Sequence, residues 1–237
     1  MKFSKTLLAA SCVAAAFISP AMAQDAPALA ITGNIGVFSD YVYRGVTQTD
    51  GKAAVQGGLD ASYGIFYAGV WSSNVDFNVP GVNQEIDVYA GFKPVTGPIT
   101  WDLGVVYYGY VEDKFDFPFT EFKVAPSIAL ENGASVGLNV FYSPEFFGKT
   151  GQAWYYEGVG SVPFGKAGPF AVNGYAAIGY QDVEKSPSYT TWKLGVTGAL
   201  DSGVALDLMY SDTDEDFGGL GGSRVTLSLK YTGAFTK

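Results

Sequence analysis

The sequence contains no histidine and a single cysteine, Cys12. Without histidine there is no Ser–His–Asp triad, no ordinary zinc ligand set, and none of the commonest general base. One cysteine excludes an intramolecular disulfide and cysteine-rich metal sites. Charge is scarce too. Only 16% of the 237 residues are charged, and acids outnumber bases 23 to 14. That balance argues against nucleic acid, whose binders present basic faces. Beyond the N-terminus no long apolar run occurs, which excludes a helical membrane bundle. No motif calls for a cofactor or a metal ion, and the menu for catalysis is thin. The reading is therefore of a protein that is not an enzyme.

What is abundant is hydrophobic residues at 48%, aromatics at 16%, and 31 glycines. This composition is too apolar for disorder. Lys2 and Lys5 precede an apolar stretch over 6–18 and then Ala21, Met22 and Ala23. A basic start, a short apolar core and a small-x-small site form a cleavable signal peptide over 1–23, for the general secretory pathway. Losing Lys2 and Lys5 takes the net charge from −9 to −11. Residues 24–31 read as a short Ala/Pro lead-in, and 32–237 as one domain.

From residue 32 onward the pattern has period two. Trp192, Leu194 and Val196 alternate with Thr191, Lys193, Gly195 and Thr197; Val225, Leu227 and Leu229 alternate with Thr226, Ser228 and Lys230. A helix would space its apolar residues three and four apart. Turn signals cut the chain into short breaks at 63–64, 94–98, 131–133, 165–169 and 201–203. Longer polar breaks fall at 45–51, 76–83, 112–118, 144–151, 182–188 and 213–222. Short and long connections alternate, and the eleven of them join about twelve strands of about ten residues each. These are expected near 32–44, 52–63, 65–75, 84–93, 99–111, 119–130, 134–144, 152–163, 169–181, 189–200, 203–212 and 223–233. Crossing an apolar band about 25 Å tall at a tilt takes roughly ten residues. The fold expected is all-β, a transmembrane antiparallel up-and-down β-barrel, with both ends on the periplasmic side; a soluble β-sandwich is the alternative. Tyr41, Tyr43, Trp71, Phe77, Tyr107, Tyr142, Trp154, Tyr180, Trp192 and Tyr210 fall toward strand ends, where amphipathic rings suit the headgroup level.

Residues 39–62 (SDYVYRGVTQTDGKAAVQGGLDAS), 66–77 (FYAGVWSSNVDF) and 85–92 (EIDVYAGF) resemble the TorF-type porin family of proteobacterial outer membranes. The resemblance implies a barrel in the outer membrane of a Gram-negative cell, with a pore role and no established catalytic or ligand residues. Such a barrel would meet lipid, lipopolysaccharide and the barrel assembly machinery. One departure is at the end, where Thr236 and Lys237 follow the aromatics Tyr231 and Phe235.

The alternation points Asp60, Glu85, Asp87, Asp102, Glu121, Glu157 and Asp207 inward, with the bases Lys93, Lys123, Lys193, Arg224 and Lys230. A basic side chain at mid-bilayer on the lipid face would cost roughly 2–4 kcal/mol. These residues either line a pore or plug a narrow lumen with salt bridges. Asp40 and Arg44 fall at the pore mouth, where the first strand meets the first long loop; there they would pair with each other, Arg44 would hold an anionic solute, or they would anchor the loop or touch lipopolysaccharide phosphate. Glu85 and Asp87 lie two apart on one strand face, a spacing that allows acid/base work or metal binding; with no motif around them they read as a pore-lining pair. Asp212, Asp214, Glu215 and Asp216 lack the ligand order of a calcium loop and read as a solvated loop. Residues 218–222 (GGLGG) read as a flexible tip. Twelve strands enclose a cylinder roughly 24 Å across, leaving roughly 12 Å between inward side chains. Inward Tyr89, Tyr108 and Phe141 would narrow it further. The expected function is a narrow, weakly cation-preferring diffusion channel for ions and small solutes. The alternative is a structural or interaction barrel with a plugged lumen.

Overall fold

A computed structural model describes residues 28–235. The expected signal peptide with Cys12, residues 24–27 of the expected lead-in, Thr236 and Lys237 lie outside the described residues. Alternation of apolar and polar side chains over nine to fifteen residues produces twelve long strands: β1 (Ala30–Phe38), β2 (Ala54–Tyr63), β3 (Phe66–Asn74), β4 (Gln84–Phe92), β5 (Ile99–Tyr110), β6 (Phe119–Ala129), β7 (Ser135–Ser143), β8 (Ala153–Ala167), β9 (Phe170–Val183), β10 (Ser186–Ala199), β11 (Val204–Thr213) and β12 (Arg224–Ala234). Each pairs antiparallel with its sequence neighbours, and β1 closes on β12 with Val37 opposite Leu229. A single closed sheet has no free edge and no second sheet to face, so the sandwich alternative is excluded. No described helix is long and apolar enough to cross a membrane.

The strand faces segregate as the period-two pattern requires. Val37, Leu59, Val88, Leu194, Leu208, Val225 and Leu227 stand exposed on the outer wall. Their inward neighbours are polar, aromatic or glycine, apart from Met209. So large an exposed apolar belt suits lipid rather than water.

All the turns at one end are short, and the ends of the described barrel lie there: Ala30 pairs opposite Ser62, and Ala234 opposite Thr32. Three expectations change. The first strand stops at Phe38, and residues 39–53 turn into the barrel, carrying a small ribbon of Val42–Tyr43 paired with Val46–Thr47. The lead-in ends earlier, since Ala30 already belongs to β1. The expected long break at 182–188 is a tight hairpin, with Val183 opposite Ser186. Its polar residues extend the β9–β10 ladder instead of ending it. A further short strand, Val95–Thr96, folds back on Ile99 and Thr100.

Candidate functional site in the barrel lumen

Arg44 and Gly45 form the tip of the small ribbon, with φ of 48° and 81°. Positive φ at both central residues is the type I′ hairpin turn, whose twist matches a two-residue connection. The tip reaches across the lumen. A Cβ added to Gly45 would lie 2.5 Å from Thr191 Oγ1 on β10, so only glycine seats there.

Arg44 is 5% exposed at its side chain and lies within the lumen rather than at the rim. Its Nη1 and Nη2 donate to Glu121 Oε1 and Oε2 at 2.9 and 2.7 Å, and Nη1 also donates to Gln181 Oε1 at 2.8 Å. The guanidinium is stacked against Tyr155, Tyr43 and Phe141, at 4.1, 4.6 and 5.0 Å from the ring centroids. Burial alone would disfavour its charge. The facing Glu121 carboxylate outweighs that, and Arg44 is held well above its ordinary pKa. Asp40 does not pair with Arg44. It accepts from Thr47 and Thr49 hydroxyls at 2.5 and 2.9 Å, and from Arg224 Nη1 at 3.3 Å. The loop is also tied to its neighbours through Thr47 N to Leu220 O at 2.9 Å and Asp76 N to Gln48 O at 2.8 Å. Leu220 belongs to the glycine-rich tip, which therefore has defined partners; Arg224 Nη2 reaches Gly219 O and Leu220 O at 2.8 and 3.0 Å.

A second theme runs around the wall. Inward tyrosines lie flat across glycines of neighbouring strands and donate to inward carboxylates. Tyr67 crosses Gly91 and Gly104 to reach Asp102 at 2.6 Å, and Tyr89 crosses Gly69 to reach Asp60 at 2.5 Å. Tyr175 crosses Gly195 to reach Asp207 at 2.9 Å, and Tyr155 crosses Gly179 and donates to Glu157 at 3.2 Å. Tyr108 and Tyr43 donate to Glu121 at 3.1 and 3.3 Å, and Tyr41 to Glu85 at 3.3 Å. The glycine content thus makes room for rings inside the wall.

Ion pairs complete the lining. Lys123 meets Asp102 at 2.7 Å, Lys93 approaches the same oxygen at 3.8 Å, and Lys193 meets Glu157 at 2.8 Å. Lys230 packs on Gly36 and makes no ion pair among the described residues. The two ends of the lumen differ. Toward the long loops Glu85, Asp87, Glu121 and Gln181 are enclosed, whereas Lys93 at the short-turn end is half exposed. The plugging half is built by Tyr41, Trp71, Tyr155 and Gln181 as well as the expected acids. The strand alternation points Tyr155 and Gln181 inward, but it says nothing of their meeting with loop 39–53, which carries Tyr41. Of the aromatics expected at the membrane interface, Tyr107, Trp154, Tyr180 and Trp192 do face outward. Tyr41 and Trp71 are buried in the lumen instead, and Tyr43 stacks on Arg44.

These features define a closed, twelve-stranded antiparallel barrel of the transmembrane type, with a charged and tyrosine-rich lumen partly filled by its first loop. The chain belongs to the family described as a bacterial protein of unknown function (Gcw_chp), whose model matches residues 22–234. Among solved structures, the KdgM porin in complex with disordered oligogalacturonate superposes with a TM-score of 0.59 at 9% identity, over 85% of this chain and 98% of that one. The COG4313 outer membrane channel from Pseudomonas putida F1 gives a TM-score of 0.53 at 8% identity, over 92% of this chain and 100% of its own. At such identities the likeness is one of fold. No curated protein matches the sequence.

Proposed function

We propose that this protein is an outer-membrane channel that passes ions and small solutes by diffusion, with a weak preference for cations. The observation that carries the reading is the segregation of charge: carboxylates and bases face a lumen while the outer wall is apolar. Ionisable side chains turned away from lipid set the field inside a pore. The fold shared with a porin and an outer membrane channel supports it, as does the resemblance of residues 39–62 to TorF-type porins. Export by a signal peptide over 1–23 and contact with lipopolysaccharide and the barrel assembly machinery follow from that location. Acids outnumber bases on the inward face, and the long loops add Asp50, Asp76, Glu112, Asp113, Asp116, Glu145 and Asp214. A negative mouth concentrates cations and repels anions. Screening limits its reach to about 8 Å at physiological salt, so selectivity should fall as salt rises.

The test is a reversal potential in a salt gradient across a planar bilayer. Cation selectivity is expected, moving toward zero when Asp87, Asp102 and Asp207 are changed to Asn. An anion-selective wild type, or a folded barrel that never conducts, overturns the reading. One observation favours a second reading, a structural barrel that transports nothing: Arg44, Glu121 and Gln181 are enclosed across the long-loop half. Under that reading, removing the loop would open no current.

A further inference from the structure

Six inward carboxylates, Asp60, Glu85, Asp102, Glu121, Glu157 and Asp207, accept a tyrosine hydroxyl. Asp87 does not. It is 0% exposed, and neither of its oxygens has a hydrogen-bond partner among the described residues. Glu85, two residues away on the same face of β4, is 2% exposed and its Oε2 is unpartnered as well. Residues two apart on a strand point to the same face, so the two carboxyl groups enter the same enclosed part of the lumen side by side. No described basic side chain pairs with either. Trp71 and Tyr108 flank Asp87 from the adjacent strands, and Ser73 and Tyr110 flank Glu85.

An enclosed carboxylate without donors is costly unless positive charge joins it. Elsewhere in the lumen the charged groups are answered by ion pairs or phenols, apart from Lys230. Here two neighbouring carboxyl groups on one strand face leave three oxygens free, with the Tyr41 hydroxyl oxygen beside the fourth. This is an all-oxygen donor set, which suits a hard divalent cation. Calcium accepts irregular shells of six to eight oxygens, with water completing them, whereas magnesium demands near-ideal octahedral geometry. We propose that Glu85 and Asp87 form a calcium-class divalent cation site inside the barrel, beneath loop 39–53. No third acidic, histidine or cysteine ligand joins the group among the described residues. Affinity therefore belongs at the weak end, on the order of 10⁻⁴–10⁻³ M. The inference goes beyond the channel reading and does not require conduction.

The experiment uses the full barrel in detergent micelles, stripped with chelator, and terbium as the probe. Excitation of tryptophan should sensitise terbium emission through Trp71, the cross-strand neighbour of Asp87. Calcium should displace the emission at least tenfold better than magnesium. Asp87→Asn and Glu85→Gln should each weaken terbium binding at least tenfold, whereas Asp201→Asn in the exposed turn between β10 and β11 should leave it unchanged. Both amides keep the side-chain shape while removing buried charge, and heat-modifiable gel mobility verifies their folding. The wild-type calcium–magnesium competition needs no variant. Absence of calcium-displaceable emission in the wild type, or emission unchanged by Asp87→Asn, overturns the site. A barrel that binds calcium but passes no current overturns the channel reading and leaves this site standing.

Discussion

Arg44 and Glu121, 77 residues apart in sequence, form a two-pronged ion pair across the lumen, with N–O distances of 2.9 and 2.7 Å. Losing one member of a buried pair leaves the other charge uncompensated, at a cost of roughly 3–5 kcal/mol. The guanidinium sits on a loop and has an escape: the loop swings out and the charge returns to water. Glu121→Gln should therefore free loop 39–53 without unfolding the wall. Single-channel recording should show higher conductance than wild type, with unchanged heat-modifiable mobility. Unaltered conductance in a folded Glu121→Gln barrel would show that the loop does not gate the lumen.

Gly45 offers an independent handle on the same loop. Its φ of 81° disfavours any side chain, and a Cβ there would meet Thr191 Oγ1 at 2.5 Å. A β-branched residue adds strain in the turn and a clash with β10. Gly45→Val should undock the ribbon and expose the peptide bond after Arg44. Limited trypsin digestion should cut the variant at Arg44 and spare the wild type, where that side chain is 5% exposed. Equal resistance in both would count against a docked loop.

The apolar–polar alternation discloses the strands because a period of two says which face each residue occupies. It assigned Glu85, Asp87 and Glu121 to the inside from local pattern alone. It was silent on loop 39–53, because a loop's destination is decided by partners such as Gln181 and Thr191 that lie far along the chain. The break expected at 182–188 failed for a related reason. Asp182, Glu184, Lys185 and Ser188 report contact with water, and a strand that rises past the membrane is wet while still paired. Tyr41 and Trp71 sit in the lumen and not at the interface, because amphipathic rings suit a polar lumen as well as the headgroup level, and composition does not separate the two.

Tyr175 and Gly195 show how tightly the wall is packed. The ring lies over the glycine and its hydroxyl reaches Asp207 at 2.9 Å. Gly195→Ala puts a methyl group where the ring sits and displaces the hydroxyl from the carboxylate. Overpacking of this kind costs about 1–3 kcal/mol. Urea titration of folding into lipid vesicles should register the loss, and Tyr175→Phe combined with Gly195→Ala should not restore it. A neutral Gly195→Ala would mean the ring has room to move.

Outside the wall, Lys52 donates to Asp76 at 2.7 Å between two long loops. That hydrogen bond holds the Asp76 carboxyl below its ordinary 3.8, helped by the backbone N–H of Asn78. A depressed carboxyl favours the folded loops above its unfolded pKa, and the benefit disappears as pH falls through the folded value. Both groups are solvated, so the effect on stability is small. Lys52→Met should raise the Asp76 pKa toward 3.8 in an NMR carboxyl titration. An unshifted value would show that the backbone bond alone sets it.

Leu208 and Met209 are consecutive residues at the middle of β11, and the pleat sends them to opposite faces. Leu208 is 54% exposed on the outer wall, while Met209 turns toward the lumen beside Thr226 of β12. In a bilayer the outer face at mid-strand meets hydrocarbon, where an arginine costs roughly 2–4 kcal/mol. The inner face offers water and the carboxylate of Asp207 two residues away. Leu208→Arg should therefore lower the free energy of folding into vesicles by about that amount, and Met209→Arg by much less. A protein whose outer wall faced water would give the opposite order, since its surface leucine would accept arginine and its interior would not. Urea-titrated folding into lipid vesicles, read by gel mobility, measures both variants on one scale, and Met209→Arg proving the costlier of the two would sink the membrane assignment.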